Sequence, residues 1–239
     1  MFNSSTRRLA AAWSARCRMS TEAGGALLWD LDGTLIDSED RWALVCRQVA
    51  EASGAGKWSP TPADISGLAI PMLAGLLRAR GSTGSLTHLT EELTERMRRL
   101  NRQEGVHWRP GALDLLEAAH LTGVPQALVT MSLEINVIDI LDQLPRAYFT
   151  AIVTADMVAQ HKPAPEPYLL ALDTLGLSAV GSVAIEDSPA GLRSACDAGL
   201  NVIAVPCSRS IEPSNGYRIW DSLATRDMSD FVAAGLVLA

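Results

Sequence analysis

From Gly111 onward, short apolar runs alternate with helical stretches, and one further apolar run lies near residue 28. Five runs have the length and composition of buried strands: residues 26–31, 126–130, 151–154, 182–186 and 201–205. Strands that alternate with helices pair in parallel, because each helix carries the chain back across the sheet. We therefore predict an α/β fold with a Rossmann-like parallel sheet core flanked by helices.

Proline, serine and glycine mark the ends of two of the helical stretches. Pro110 stands where a first-turn proline is tolerated, and Gly123 stands where a left-handed residue follows a last turn. Ser188 and Pro189 repeat the starting signal, and Gly199 repeats the ending signal. These residues predict one helix that begins at Pro110 and a second that begins at Pro189.

Between residues 38 and 108 the strand-like runs disappear and helical spacing takes over. Apolar residues recur there at steps of three and four, at Leu86, Leu89, Leu93, Met97 and Leu100. Residues 39–52 also have a helical pattern, whereas residues 53–62 are rich in Gly, Ser and Pro and are interpreted as a loop. We predict a helical cap at residues 38–108, inserted between two parts of the core, 25–37 and 109–239.

The start of the chain has a composition of its own. Residues 1–19 contain four arginines, several serines and alanines and no acidic residue, which is typical of an organellar transit peptide. Met19 stands just before the first predicted strand, which favours a disordered extension or an upstream start. We interpret residues 1–24 as a disordered or targeting-like tail, and we expect a cytoplasmic protein, with an organelle as the alternative.

The bulk properties exclude several classes of protein. The 239 residues carry a net charge of -7, which provides no overall attraction for a nucleic-acid backbone. No apolar run approaches the roughly 18–20 residues that a membrane-spanning helix needs. The four cysteines lack the close pairing typical of zinc or dithiol sites. We expect a globular monomer or weak dimer that binds neither nucleic acid nor a membrane.

Two carboxylates follow the first predicted strand. Asp30 and Asp32 come directly after Leu27-Leu28-Trp29 and are followed by Gly33 and Thr34. Ligands of parallel sheets bind beyond the carboxyl ends of the strands, and side chains two residues apart in an extended segment point to the same side. Such a pair suits a nucleophile with a proton donor, or a hard metal ion. The structural alternative is that the two aspartates only end a strand and begin a turn.

Polar residues also follow the later strands. Thr130, with Met131 and Ser132, offers a hydroxyl group and backbone amides to an oxyanion. Lys162 lies in a stiff, proline-rich entry to a helix. Glu186 and Asp187 end the fourth predicted strand, where acids often only cap the next helix. With the other elements present, we favour metal ligation for these acids.

These four elements, in this order over residues 26–205, resemble the haloacid dehalogenase-like hydrolase superfamily. The predicted insert matches the helical cap of the group that includes β-phosphoglucomutase and sugar-phosphate phosphatases. The resemblance implies that Asp30 is the nucleophile and forms an aspartyl-phosphate, and that Asp32 protonates the leaving group and then activates water. This sequence departs from the family pattern at two positions. His161 stands where the family often has glycine, and Met131 stands where it often has a small polar residue. We interpret His161 as a packing or rim residue.

The resemblance also implies the binding residues. It places the transferred phosphate on Thr130, Met131, Ser132 and Lys162. It places a magnesium ion on Asp30, the backbone carbonyl of Asp32, Asp187 and, less certainly, Glu186. A carboxylate nucleophile needs such cations, because an ionised phosphate would otherwise repel it.

Within the superfamily, the second aspartate separates the main chemistries. Displacement of halide needs no proton donor, so Asp32 argues against a dehalogenase. A phosphomutase needs a basic group in the cap for the second phosphate of its intermediate, and residues 64–72 contain no arginine or lysine. We therefore expect a magnesium-dependent phosphatase for a small phosphorylated metabolite, with a β-phosphoglucomutase-like phosphomutase or a non-catalytic phosphate-binding scaffold as alternatives.

Overall fold

The computed structural model describes residues 24–65, 68–208 and 210–239. Six strands form one parallel sheet in the order β3-β2-β1-β4-β5-β6. Their bounds are β1 Leu27–Trp29, β2 Gln126–Val129, β3 Ala151–Val153, β4 Val183–Glu186, β5 Asn201–Ala204 and β6 Arg218–Ile219. The predicted α/β fold with a parallel sheet is confirmed, and β1 to β5 lie inside the five predicted runs. The sequence pattern missed β6, which contains only two residues.

In the described part of residues 38–108, which follow β1, the chain forms four helices. They are α1 Glu39–Ala52, α2 Pro62–Ile65, α3 Ile70–Ala79 and α4 Leu86–Glu104. The helices predicted at residues 39–52 and from Leu86 are confirmed, and the predicted loop is shortened by α2. These helices enclose an apolar cluster of their own, which includes Val45, Leu77 and Leu93. We use the name cap for residues 38–108.

The remaining helices flank the sheet. They are α5 Ala112–Leu121, α6 Glu134–Leu141, α7 Glu166–Leu175, α8 Pro189–Asp197 and α9 Met228–Ala234. The start predicted for α5 was wrong, because Gly111 is its N-cap and Pro110 precedes that cap. The N-cap and first-turn residues predicted for α8 are confirmed, since the Ser188 hydroxyl accepts a hydrogen bond from the Gly191 amide. Within the described ranges, no helix is both long and apolar enough to cross a membrane.

The core consists of two apolar layers, one on each face of the sheet. Leu27 and Trp29 contribute to one layer and Leu28 to the other, as the alternation of side chains along a strand requires. β1 lies in the middle of the sheet and pairs with both β2 and β4. The strand order reverses at this point, so a crevice opens at the carboxyl end of β1, where ligands of such folds bind. The tail predicted at residues 1–24 lies outside the described residues except for Gly24.

Candidate active site

Asp30 is the first residue after β1, and the sheet holds its backbone. Its amide donates a hydrogen bond of 3.0 Å to the Ile185 carbonyl of β4. Its side chain is largely buried, and the Lys162 ammonium group donates to Asp30 Oδ1 at 2.7 Å. The other oxygen, Asp30 Oδ2, is buried and has no hydrogen-bond partner among the described residues. This free oxygen is the one available to a metal ion or to a substrate.

Lys162 is fixed by three acceptors from separate parts of the sheet. Besides Asp30, its ammonium group donates to Glu186 Oε1 at 2.6 Å and to the Val129 carbonyl at 2.8 Å. Tyr168, in the first turn of α7, donates its hydroxyl to the same Glu186 oxygen at 2.7 Å. Burial alone would lower the pKa of Lys162, but the charges of Asp30 and Glu186 outweigh it and raise that pKa. The lysine is therefore a fixed cation.

Three carboxylates meet at this edge of the sheet. Asp30, Glu186 and Asp187 can each direct one oxygen to a common point, with these oxygens within 4.8 Å of one another. Burial, together with the charge of Glu186, raises the pKa of Asp30 to about 7, although Lys162 opposes the rise. Burial and the charge of Asp30 raise the pKa of Asp187 well above its usual range. The pocket therefore has more negative charge than Lys162 alone can balance.

The donor set fits a magnesium ion. All the candidate ligands are oxygen atoms, which hard divalent cations prefer, and Asp30 Oδ2 has no other partner. Gly33 allows the approach of Asp187, since it has a φ of +86° and a Cβ there would collide with the Asp187 carboxylate. Asp30 and Asp187 are the better candidates for ligands, because Lys162, Tyr168 and the Ser188 hydroxyl already engage Glu186.

Asp32 lines the same cleft as Asp30 and Asp187, and its carboxylate is held from two sides. Its Oδ1 accepts hydrogen bonds from the Ser38 hydroxyl at 2.6 Å and from the Trp42 indole N–H at 3.2 Å. Its Oδ2 lies 2.7 Å from the Ser132 hydroxyl. Trp42 belongs to α1 of the cap, whereas Ser132 follows β2 of the core. The carboxylate of Asp32 is thus oriented by cap and core together.

The residues predicted to bind phosphate lie at the same cleft. Thr130, Met131, Ser132 and Lys162 all line it, together with Asp30, Asp32 and Asp187. The Thr130 hydroxyl accepts a hydrogen bond of 3.0 Å from the Ser132 amide, which fixes the turn after β2. Glu186 is fully buried beneath the cleft. The structure therefore brings all the predicted site residues together, with Glu186 behind the others.

The profile of the haloacid dehalogenase-like hydrolase family matches residues 27–205, which is most of the chain. The chain belongs to this family. The match begins in β1 and ends just after β5, so it includes the four motifs and the cap. The resemblance inferred from those motifs is confirmed, and so is the prediction that the protein is an enzyme of the hydrolase class.

Relatives of this haloacid dehalogenase-like hydrolase resemble it in sequence and in structure. The chain is 32% identical over 198 residues to protein CbbY of Rhodobacter capsulatus, covering 76% of this chain and 85% of that protein. It is 32% identical over 194 residues to hexitol phosphatase A of Escherichia coli, covering 74% of this chain and 81% of that protein.

A solved CbbY structure has the same fold. CbbY from Rhodobacter sphaeroides in complex with phosphate has a TM-score of 0.79 and 28% identity, covering 87% of this chain and 99% of that chain. A variant of the same protein in complex with xylulose-(1,5)bisphosphate has a TM-score of 0.76 and 29% identity, covering 84% of this chain and 96% of that chain.

Several contacts at the hydrolase site had no sequence signal. The motif pattern did not assign Tyr168 to Glu186 or Ser38 to Asp32, because both contacts depend on the path that the chain takes after each motif. Arg109 was also missed. Its guanidinium donates to the Gly33 carbonyl and, at 3.0 Å each, to the carbonyls of Val205 and Pro206, so it ties the loop after β1 to the segment after β5. His161, interpreted as a packing residue, has its ring nitrogen 3.0 Å from the Ala155 carbonyl.

Proposed function

We propose that the protein is a magnesium-dependent phosphatase that acts on a small phosphorylated sugar or sugar alcohol through an aspartyl-phosphate intermediate. One observation carries this proposal. Asp30 presents a buried, unpartnered oxygen at the carboxyl end of β1, beside a fixed ammonium group and facing a cleft that also contains Asp32. Two relatives, hexitol phosphatase A and a CbbY variant in complex with xylulose-(1,5)bisphosphate, support a substrate derived from a sugar.

Asp30 would attack the phosphorus atom, and the bond from phosphorus to the leaving oxygen would break. Lys162 would hold Asp30 Oδ1 in place and balance part of the negative charge. A bound magnesium ion, held by Asp30 and Asp187, would supply the remaining positive charge that a transferring phosphoryl group requires. The Thr130 hydroxyl, which already accepts from the Ser132 amide and can donate, would bind a phosphoryl oxygen together with the Met131 backbone amide.

Asp32 would transfer the proton from its Oδ2 atom. Its Oδ1 faces the Trp42 N–H, which can only donate, so the proton belongs on Oδ2. The Ser132 hydroxyl beside Oδ2 can either donate or accept and therefore tolerates both protonation states. Asp32 would first protonate the leaving alkoxide and then, as a carboxylate, take a proton from the water that attacks the aspartyl-phosphate. That second step would release phosphate and restore Asp30.

Release of phosphate from an aryl phosphate, with and without magnesium, tests the proposed activity. A phosphatase releases phosphate only with the metal, and a scaffold shows no metal-dependent release. A phosphomutase converts a sugar phosphate into its isomer faster than it liberates phosphate. Either of the last two results would contradict the proposal.

Replacement of Asp32 by asparagine is expected to lower kcat by about 10²- to 10⁴-fold for substrates with poor leaving groups, because proton donation is lost. The loss should be smallest for p-nitrophenyl phosphate, whose leaving group needs no proton to depart. A series of aryl phosphates of rising leaving-group pKa measures the difference. The same loss across the whole series would remove Asp32 from the role of general acid.

Replacement of Asp187 by asparagine is expected to raise the magnesium concentration needed for half-maximal activity by at least about tenfold, because one anionic ligand is lost. Magnesium titration of phosphate release measures the shift. Asp173→Asn, on the outer part of α7, is the matched control and should leave the titration unchanged. An Asp187→Asn enzyme with the wild-type magnesium requirement would contradict metal ligation by Asp187.

A further inference from the structure

Glu39 has a buried carboxylate that the proposed chemistry does not use. It is the first residue of α1, its residue exposure is 6%, and it lines the same cleft as Asp32. Its Oε1 atom is buried and has no hydrogen-bond partner among the described residues. A buried acceptor without a donor costs free energy. A ligand that donates a hydrogen bond to this oxygen removes that cost and therefore binds more tightly.

Apart from Ser38, whose hydroxyl donates to Asp32, the cap residues that line the cleft with Glu39 are large and hydrophobic. They form an apolar wall of Trp42, Ile65, Leu68, Ile70 and Leu73. Among the described residues that line the cleft, Lys162 is the only cation, and its ammonium group already binds Asp30 and Glu186. A second anionic group on a substrate would therefore meet apolar side chains and a carboxylate.

The nearby guanidinium groups are committed elsewhere. Arg41, also on α1, donates to the Asn101 side chain at 2.9 Å and to the Gly105 carbonyl at 2.6 Å, on the side of the cap next to α4. Arg109 is bonded to three backbone carbonyls, as described above. Neither arginine lines the cleft. Their contacts would have to break before either could bind a second phosphate.

We infer that Glu39 is a specificity residue: it accepts a hydrogen bond from a hydroxyl group on a neutral substrate body and excludes substrates that carry a second phosphate. This inference rests on the proposed phosphatase function. A negative group brought near Glu39 is repelled strongly in a site with little water, whereas a hydroxyl group donates to the free Oε1. The preferred substrates are thus monophosphates with an uncharged, hydroxyl-bearing body.

Matched pairs of substrates test the inference. With magnesium present, kcat/KM is measured for glucose 6-phosphate and glucose 1,6-bisphosphate, for fructose 6-phosphate and fructose 1,6-bisphosphate, and for p-nitrophenyl phosphate as the reference. We expect each hydrolysed monophosphate to exceed its bisphosphate by at least about tenfold. If no monophosphate in the panel exceeds its bisphosphate, the inference is overturned. If the reference ester is not hydrolysed either, the proposed function fails as well.

Glu39→Gln separates charge from shape, because glutamine keeps the size and a carbonyl acceptor. The variant is expected to lower the ratio of monophosphate to bisphosphate kcat/KM by at least about threefold, mainly through a lower KM for the bisphosphate. Glu51→Gln, exposed on the same helix, is the matched control and should keep the wild-type ratio. An unchanged ratio in Glu39→Gln, or a change confined to the magnesium requirement, would overturn the role assigned to Glu39.

A cation added to the apolar wall provides the converse test. Leu68 is half-buried at the cleft, so an arginine there can reach both the cleft and solvent. Leu68→Arg is expected to raise kcat/KM for the bisphosphate relative to its monophosphate by at least about threefold. Leu68→Met is the matched control and should not change the ratio. If Leu68→Arg folds, as judged by its thermal unfolding, and leaves the ratio unchanged, a missing cation does not explain the selectivity.

Discussion

Replacement of Asp30 by asparagine is expected to reduce magnesium-dependent phosphate release by at least about 10⁴-fold, the scale on which loss of a nucleophile acts. Asparagine has nearly the same shape, so the contacts of this segment with β4 should persist. It has no carboxylate to form the acyl phosphate, and it removes one metal ligand. Release of phosphate from p-nitrophenyl phosphate measures the loss, and acid-quenched enzyme shows whether a phosphoenzyme still forms.

Asp37 provides the matched control for Asp30. It follows the same strand but its side chain is exposed, so Asp37→Asn should retain activity within about twofold. Thermal unfolding of both variants with and without magnesium checks that they are folded. Persistent phosphorylation of the Asp30→Asn enzyme at another residue would contradict the assignment of Asp30 as the nucleophile.

Replacement of Lys162 by methionine is expected both to abolish activity and to lower the free energy of unfolding by about 3 kcal/mol or more. Methionine fills much of the same volume but leaves Asp30 and Glu186 buried without a counter-ion. Urea denaturation measures the stability, and phosphate release measures the activity. Lys57→Met, at an exposed position in the cap, is the matched control and should change neither quantity appreciably.

The stability lost in Lys162→Met should depend on pH in a defined direction. Burial already raises the pKa of Asp30 to about 7, and loss of the ammonium group raises that pKa further. Protonation removes the unbalanced charge at low pH, so the deficit should be smaller at pH 5 than at pH 8. Adding Glu186→Gln to Lys162→Met should restore part of the stability at pH 8 but no activity. An equal deficit at both pH values would contradict the charge-balance role of Lys162.

The sequence predicted the residues of the site better than it predicted the contacts between them. The strand that ends in Asp30, the motif around Lys162 and the acids after β4 were all found from local patterns, because each combines an apolar run with polar residues directly after it. Helix ends were predicted less well at α5. A proline next to a helix fits either its first turn or the residue before its cap, and the left-handed Gly111 decides between these positions.

The order of elements along the chain determined which residues reach the carboxyl edge of the sheet, because in a parallel sheet every strand ends at the same edge. The sequence by itself therefore determined the fold class and the polar side chains that follow the strands at this edge. Only the tertiary structure decided which atoms pair. Glu186 supports Lys162 and Tyr168, Asp32 is held by Trp42 of the cap, and one oxygen each of Asp30 and Glu39 remains without a partner. The contacts of the site join residues up to 132 positions apart, as Lys162 and Asp30 are, and they depend on packing that no local pattern encodes.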